Sequence, residues 1–430
     1  MRTDALIEDL SRIHPKGFDL SLDRISKLLE KLGNPQDKIP PAIHVAGTNG
    51  KGSTIAFVRS ILEASGHRVH VHTSPHLVNW SERYRIAGRL VDDETLANAI
   101  QRVANANQGN PITLFEIMSA VMFILFSEHD ADYSIVEVGL GGRFDVTNVI
   151  KQPLITAITP VALDHEAYLG DTIAKIAFEK AGIIKEDVPL VIGEQADDAR
   201  EVIEQIAAQR SAPSWIAGQD FDGYMDSTGF VFQDGSGLMD LPAPALQGQH
   251  QLDNAALAIA IVQKSGITVS EESIARGLQN ATWSGRLQKL PEGEITRRFG
   301  SGVRLILDGG HNPAAGVAIA KTFSETSGPL IMICGMLNTK DPFGYFQPFS
   351  EVTDKIFTVP VNSSDAGRSP AELESLAASA GLTAQATESL EEAIKLSIEE
   401  ARDAEGTTIL FCGSLYLVGE VLDLNGTPPQ

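Results

Sequence analysis

The stretch "HVAGTNGKGSTIAF", from His44 to Phe57, combines glycines, a lysine and hydroxyl side chains in one short loop. It follows a β-branched apolar run and precedes a segment of helical periodicity, which is the strand, loop and helix context of a phosphate site. The glycines let backbone N–H groups approach phosphates, and Lys51 adds a cation for the outer phosphates. Ser53 or Thr54 would offer a hydroxyl to magnesium. These features predict phosphate chemistry.

The glycines do not follow the commonest nucleotide-loop pattern. Val45 stands where that pattern has its first glycine, and Gly52 stands directly after the lysine, where Ser or Thr is usual. The loop is therefore a shorter, shifted variant.

Three other polar residues are candidates for chemistry. Glu137 lies inside the apolar run "YSIVEVGL", where a carboxylate is costly unless it is paired or bound to a metal. Alternatively, a helix N-terminus or Arg143 would satisfy the Glu137 carboxylate without a metal. From sequence context alone, we interpret His165 as an ordinary hydrogen-bonded histidine and Lys180 as a solvated lysine at a helix end.

Short apolar strands alternate with helical segments from Pro41 onward, which predicts a doubly wound, largely parallel α/β sheet. The predicted strands are "AIHVAG", "RVHVHTS", "YSIVEVGL", "LITAITPV" and "PLVIGE". The predicted helices are Thr54–Ala64, Glu94–Asn105, Leu114–Ser127 and Thr172–Ile184.

The pattern changes between Ser214 and Ala243, where short strands with Asp and Gly turns predict a small antiparallel subsheet. A polar segment, "KLPEGE", is typical of an interdomain linker, and a second strand and helix alternation follows it. We predict an N-terminal phosphate-loop domain over residues 1–288, a linker over 289–294 and a Rossmann-like α/β domain over 295–430.

The net charge is −22, from 34 basic and 56 acidic residues, which argues against a nucleic-acid partner. Cys334 and Cys412 lie in apolar runs and predict buried thiols, with no disulfide framework or zinc site. The N-terminus lacks the apolar core of a signal peptide, and no run is long enough to span a bilayer. We expect a cytoplasmic protein without a membrane partner.

The motif "GTNGKGS" resembles the loop of the folylpolyglutamate synthase and dihydrofolate synthase family, which is related to the Mur ligases. Further motifs resemble the same family in the same order: "TSPHL", "SERYRIAG", "EVGLGGRFDVTNV", "LDHEAYLGDTIAKIAFEKAGIIK", "HQLDNAALA", "WSGR", "DGGHNP" and "GSLYLVGEV". They extend from about residue 17 to residue 422. "WSGR" has Ser284 where proline is usual, and "DGGHNP" has Gly310 where alanine is usual.

The resemblance implies an ATP-dependent ligase that activates a carboxylate as an acyl phosphate and joins it to the amino group of L-glutamate. The acceptor would be dihydropteroate, a reduced folate or both, and the enzyme would act as a monomer. Such phosphoryl transfer needs a lysine-bearing loop and magnesium to neutralise charge.

The resemblance also implies roles for individual residues. ATP would be held by Gly47, Thr48, Asn49, Gly50, Lys51, Gly52, Ser53, Asn254, Arg286 and Asp308. Magnesium, with two ions expected, would be held by Ser53, Ser74, Glu137, His165 and a carbamylated Lys180. The catalytic residues would be Lys51, His165, Lys180 and His311, and the substrates would meet Phe115, Glu116, His311 and Ser414. The segment His14–Arg24 would meet the pterin, on which Phe115 would stack unless it belongs to the core.

Three other functions are less well supported by the sequence. A dinucleotide-dependent oxidoreductase would need a helix after "EVGLGGRFD", but another strand follows "DVTNV". A Mur-type ligase acting on a UDP-muramoyl substrate shares the mechanism but lacks the "SPHL" and "DHEAYLGDT" motifs. A noncatalytic ATP-binding protein would not require Lys51, Glu137 and His165 together.

Overall fold

A computed structural model describes residues 2–13, 21–300, 302–401 and 406–430. Within these residues the strands are β1 Ala42–Ala46, β2 Val69–His72, β3 Tyr84–Ile86, β4 Arg89–Leu90, β5 Tyr133–Glu137, β6 Ile155–Ile158, β7 Leu190–Ile192, β8 Ser214–Ile216, β9 Phe221–Met225, β10 Phe230–Asp234, β11 Gly237–Leu241, β12 Gln288–Lys289, β13 Arg304–Leu307, β14 Leu330–Cys334, β15 Lys355–Thr358, β16 Ala384–Ala386 and β17 Thr408–Cys412.

The α-helices of the same residues alternate with these strands. They are α1 Arg2–Ile13, α2 Asp23–Lys31, α3 Lys51–Ala64, α4 Asp93–Asn107, α5 Leu114–Glu128, α6 Glu166–Leu169, α7 Ile173–Ala181, α8 Asp197–Gln209, α9 His250–Lys264, α10 Glu271–Asn280, α11 Pro313–Ser324, α12 Pro342–Phe346, α13 Pro370–Ser379, α14 Leu390–Ala401 and α15 Leu415–Leu424.

The large sheet has the order β4-β3-β2-β5-β1-β6-β7-β8 in the described part of the chain. Strands β2, β5, β1, β6, β7 and β8 are parallel, and only the β3 and β4 edge is antiparallel. β1 is buried at every residue, as expected for a central strand covered by helices on both faces. The predicted doubly wound fold is confirmed.

The carboxyl ends of β1, β2, β5 and β6 meet at one edge of this sheet, because these strands are parallel neighbours. Open α/β sheets bind ligands in the crevice outside such an edge. The loops that follow these four strands therefore carry the side chains of the candidate site.

Two predicted helix boundaries were wrong by three residues, and the other predicted helix ends differ from the structure by at most two. α3 begins at Lys51 rather than Thr54, because the left-handed Gly50 turns the chain directly into the helix and its carbonyl accepts the N–H of Thr54. α7 ends at Ala181 rather than Ile184, since Gly182 caps it. The phosphate-loop lysine is thus the first residue of a helix, where the helix dipole favours anions.

The antiparallel subsheet is smaller than predicted. β9, β10 and β11 form it between Phe221 and Leu241, whereas β8 extends the large sheet beside β7. Ser214 was therefore assigned to the wrong sheet.

The second sheet has the order β12-β13-β17-β14-β15-β16 among the described residues, and only β12 is antiparallel to its neighbour. Cys334 and Cys412 are buried free thiols in register on β14 and β17, as expected. Lys289, which the predicted linker includes, pairs in β12 with Ile306. The predicted domain boundaries remain a prediction. No described helix is both long and apolar enough to cross a bilayer.

Candidate active site

A cavity of about 370 Å³ lies between the two larger sheets and is lined by loops from both. The large sheet contributes the phosphate loop, Ser74, Glu137 and His165, and the second sheet contributes Asp308 and His311. Residues separated by more than 200 positions in the chain therefore face one space.

The phosphate loop has little room for other side chains. A β-carbon at Gly50, whose φ is +84°, would lie 2.4 Å from the Asn254 carboxamide oxygen. One at Gly52 would lie 2.5 Å from the Trp283 ring. Lys51 Nζ donates to the carbonyls of Gly47 and Thr48, each at 3.2 Å, so the ammonium lies across the loop. This geometry suits a loop that wraps phosphates.

Glu137 ends β5 as a buried carboxylate with two polar neighbours. Its Oε2 accepts the Ser74 N–H at 3.1 Å, and its Oε1 lies 3.8 Å from Lys51 Nζ. Burial raises the pKa of Glu137, although Lys51 and the Ser74 N–H oppose the shift. Its partners are therefore Ser74 and Lys51, rather than the Arg143 of the alternative interpretation, whose guanidinium pairs with Glu179.

Lys180 is buried, not solvated as its sequence context alone suggested. Its Nζ donates to the Gly47 carbonyl at 2.8 Å, and its side chain reaches the cavity from the end of α7. Burial, followed by the charge of Lys51, lowers the pKa of Lys180 to about 7. The amine is thus partly neutral near neutral pH.

Asp164 joins the two halves of the site. Its Oδ1 lies 2.6 Å from Lys340 Nζ, and its Oδ2 lies 3.5 Å from His311 Nε2. Burial alone would raise the pKa of Asp164, but His311, Lys340 and His165 outweigh it and hold that pKa well below its usual range. Asp164 is therefore ionised, and it contacts Lys340 and His311 from the part of the chain that forms the second sheet.

His165 follows Asp164 with a left-handed backbone conformation, φ +53°. Desolvation and then Lys340, whose Nζ lies 3.5 Å from His165 Nε2, lower the pKa of His165 to about 4. The imidazole is neutral at neutral pH, which is the form that binds metals.

The far wall of the cavity is formed by Asn254, Arg286 and Asp308. The two carboxylate oxygens of Asp308 accept the N–H groups of Leu287 and Gly310, at 2.9 and 2.7 Å. These contacts fix the Asp308 carboxylate against the backbone on both sides, and its role in holding ATP remains a prediction.

A second link between the halves joins Asn49 to Asn312. Each carboxamide donates to the other, at 3.3 Å from Asn49 Nδ2 and 3.0 Å from Asn312 Nδ2. Asn312 Oδ1 also caps α11 by accepting the Ala315 N–H. The phosphate loop is thereby fixed to the first helix of the second domain.

Comparisons with known proteins agree with this architecture. The Mur ligase middle domain matches residues 45–262, and the Mur ligase glutamate ligase domain matches residues 285–415. The Bacillus subtilis dihydrofolate synthase/folylpolyglutamate synthase is 37% identical, over 72% of this chain and 73% of that protein.

Solved structures resemble the whole chain. Escherichia coli FolC in complex with DHPP and ADP has a TM-score of 0.88 at 30% identity, covering 98% of this chain and 97% of that one. The Yersinia pestis bifunctional folylpolyglutamate synthase/dihydrofolate synthase complexed with AMPPNP and Mn has a TM-score of 0.87 at 30% identity, covering 98% of this chain and 97% of that one. The chain belongs to the folylpolyglutamate synthase and dihydrofolate synthase family of Mur ligases.

Three residues at or beside the cavity were not singled out from the sequence: Asp164, which lines it, and Lys340 and Asn312, which contact the lining residues Asp164 and Asn49. Asp164 and Asn312 stood inside quoted motifs, beside His165 and His311. The sequence favoured the two histidines, because histidine is a common catalytic and metal-binding residue. An aspartate or asparagine in a loop is instead typical of turns and caps. For Lys340, in "NTKDP", we find no sequence signal.

The predicted substrate residues of this family are not all in the cavity lining. Phe115 lies half-buried beside Gly139, where an added β-carbon would be 2.2 Å from the ring. Glu116 is buried, and its Oε2 accepts from Arg24 and from Thr113 in the cap of α5. Ser414 caps α15 through the Tyr416 N–H. Of His14–Arg24, residues 14–20 lie outside the described residues.

The donors present fit the divalent ion that the family implies. No three His, Cys, Asp or Glu side chains lie close enough to hold a metal within the described ranges. Magnesium, however, usually takes one or two carboxylates, with water and substrate phosphates completing its shell. Glu137, with the hydroxyls of Ser53 and Ser74 lining the same cavity, supplies this kind of oxygen-rich set.

Proposed function

We propose that the protein joins L-glutamate to dihydropteroate, to reduced folates or to both, in an ATP-dependent reaction through an acyl phosphate. The observation that carries this proposal is the single cavity that brings the phosphate loop, Glu137 and His311 together. A ligase of this kind needs the nucleotide, the acceptor carboxylate and the amine of glutamate to meet at one point, and the contact between the two sheets provides it.

In the first half-reaction, an oxygen of the acceptor carboxylate attacks the terminal phosphorus of ATP and ADP leaves. Lys51 and the N–H groups at the start of α3 bind the phosphates and offset their negative charge. Arg286, on the opposite wall, adds a second cation. Magnesium, held by Glu137 with Ser53 and Ser74, would neutralise the developing phosphate charge.

In the second half-reaction, the glutamate amine attacks the acyl carbon, the amide bond forms and inorganic phosphate leaves with the bond electrons. We propose that His311 meets the incoming glutamate, because it reaches the cavity from the second sheet and lies against Asp164. The Asp164 to Lys340 contact keeps the glutamate-binding domain close to the phosphate loop. Roles for Phe115, Glu116 and Ser414 toward substrate remain predictions.

We further propose that Lys180 is carbamylated and, with His165, holds a second magnesium. The support is that Lys180 is buried at the cavity and that its lowered pKa leaves neutral amine, the form that reacts with carbon dioxide. Intact-mass measurement in bicarbonate, with Lys180→Ala assayed in parallel, tests this. An unmodified Lys180 in the wild-type protein, together with full activity of Lys180→Ala, would defeat it.

The test of the function is phosphate release with ATP, magnesium and L-glutamate, offering dihydropteroate and a tetrahydrofolate in turn. We expect turnover with at least one acceptor and loss of turnover in Lys51→Ala. Reaction with a UDP-muramoyl acceptor and with neither pterin would instead support the Mur-type alternative.

The monomeric state and the cytoplasmic location also remain predictions. Sedimentation of the pure protein tests the monomeric state.

A further inference from the structure

The segment that directly follows β6, residues 159–162, lies against the phosphate loop. Its Pro160 carbonyl accepts two N–H groups of that loop, from Thr48 at 3.0 Å and from Asn49 at 3.1 Å. The path of the phosphate loop therefore depends on where this segment places the Pro160 carbonyl.

These two hydrogen bonds determine which N–H groups face a nucleotide. The N–H groups of Thr48 and Asn49 point at Pro160, so they are not directed at phosphate oxygens. The N–H groups in the first turn of α3 are different, because the first donors of an α-helix have no partner within the helix. The loop thus presents the start of α3 to phosphates, while its earlier residues are anchored behind that turn.

Gln195 holds the segment from the neighbouring strand. It follows β7, which pairs with β6 in the large sheet. Its Oε1 accepts the Val161 N–H at 2.9 Å, and its Nε2 donates to the Thr159 carbonyl at 3.1 Å. One carboxamide therefore bonds the chain on both sides of Pro160.

The backbone does not supply these bonds in place of Gln195. Proline has no N–H, and β6 has already ended, so the sheet ladder does not continue through Val161. Within the described residues, the Val161 N–H and the Thr159 carbonyl form no other hydrogen bond. Val161 is buried, and an unpaired N–H at a buried residue is costly. The glutamine side chain is thus what fixes this turn of the chain.

We propose that Gln195 is a positioning residue for ATP, because it fixes the carbonyl to which the phosphate loop is bound. The inference rests on the proposed function, since it takes the phosphate loop as the ATP site. Pro160 is among the residues that line the nucleotide cavity in the described part of the chain, and Gln195 is not. Gln195 therefore acts through Pro160 and not by contact with the nucleotide.

The experiment measures the Kd of the ATP analogue AMPPNP, with magnesium, by titration calorimetry well below the Tm. Gln195→Met keeps the length of the side chain and removes both hydrogen bonds, so we expect the Kd to rise by about tenfold. Gln36→Met is the matched control, because the Gln36 amide donates to the Asn34 side chain in the segment before β1. The control should leave the Kd unchanged.

A double-mutant cycle separates positioning from a loss of stability. Thr48→Val removes a further contact between the loop and the segment, where Thr48 Oγ1 donates to the Ala162 carbonyl and accepts the Ala162 N–H, each at 3.1 Å. Once that contact is lost, the position of the segment should matter less to the loop. We therefore expect the double variant to raise the Kd by less than the product of the two single increases.

An unchanged Kd in Gln195→Met, with or without a lower Tm, would overturn the inference, as would single increases that simply multiply in the double variant. If Gln195→Met does not fold, Gln195→Glu keeps the acceptor for the Val161 N–H and loses the donor to Thr159. Its Kd should also rise, and an unchanged value would overturn the inference. Lys51→Ala that binds AMPPNP as tightly as wild type would instead defeat the ATP site of the proposed function, and the inference with it.

Discussion

Asp164 Oδ1 lies 2.6 Å from Lys340 Nζ, and the two residues belong to different domains of the predicted organisation. Both side chains are more than nine-tenths buried, at 9% and 8% exposure. Removing one partner of such a pair leaves the other charge buried without compensation. The contact therefore favours the arrangement in which the two walls of the cavity face each other.

Asp164→Asn should impair catalysis by loosening this contact. The change keeps the size of the side chain but removes its charge, so Lys340 and His311 lose their anionic partner. We expect kcat/KM for L-glutamate to fall by about tenfold to a hundredfold, because misplacement of a reacting group by about 1 Å is enough for such a loss. Steady-state phosphate release at varied glutamate measures it. Asp171→Asn, which removes an exposed salt bridge to Lys175, is the control, and equal activity of the two variants would contradict the role of Asp164.

Glu137→Gln should lower kcat without a matching fall in Tm. The glutamine keeps an acceptor for the Ser74 N–H but loses the charge that would hold magnesium. We expect kcat to fall by about a hundredfold or more. The Tm should not fall in parallel, because burial already disfavours the ionised carboxylate, as the raised pKa of Glu137 indicates. Calorimetry and activity are compared on one preparation; near-normal kcat across magnesium concentrations would rule out the metal role.

The sheet order of the active-site half could be predicted in outline because the strand and helix periods are strong there. β1, β5 and β6 are buried, β-branched runs, and the carboxyl ends of such parallel strands converge on one edge. That geometry explains why Lys51 and Glu137 meet, although 86 positions separate them. The start of α3 was misplaced because a helix that begins directly after a left-handed glycine has no side-chain cap to mark it.

The contacts between the domains could not be predicted from the residues. Lys340 and Asp164 are 176 positions apart, and their pairing depends on how two separately formed sheets are oriented. Periodicity is a local signal and contains no information about that orientation. Lys180 was misjudged although its partner lies in the same predicted domain, because periodicity gives no information on long-range packing: its Nζ donates to the Gly47 carbonyl of the phosphate loop.

Two substitutions at Asn312 should separate its two hydrogen bonds. Asn312→Asp keeps the acceptor that caps α11 but loses the donor to Asn49, and it adds a negative charge beside the phosphate loop. We expect a higher KM for ATP with little loss of stability. Asn312→Ala removes the cap as well and should cost about 1 kcal/mol in the free energy of unfolding. Urea titration and ATP saturation curves test both, and an unaltered KM in Asn312→Asp would show that the link does not support nucleotide binding.

Acid should destabilise the protein through its buried histidines, of which His44 in β1 gives the clearest test. Burial, and then the charge of Lys185, lowers the pKa of His44 from 6.5 to about 3. The unfolded chain therefore binds a proton below about pH 6.5 that the folded chain refuses, and stability is lost as the pH falls from there toward 3. The loss from this residue is on the order of a few kcal/mol.

His44→Gln cannot take up that proton, so its free energy of unfolding should depend less steeply on pH between about 6 and about 4 than that of wild type. Above about pH 7.5 the imidazole is neutral in both states, and the two proteins should then differ by a constant amount, which serves as the internal control. Urea unfolding at a series of pH values measures the two slopes. Parallel curves over the acid range would show that His44 does not contribute to the acid sensitivity of the fold.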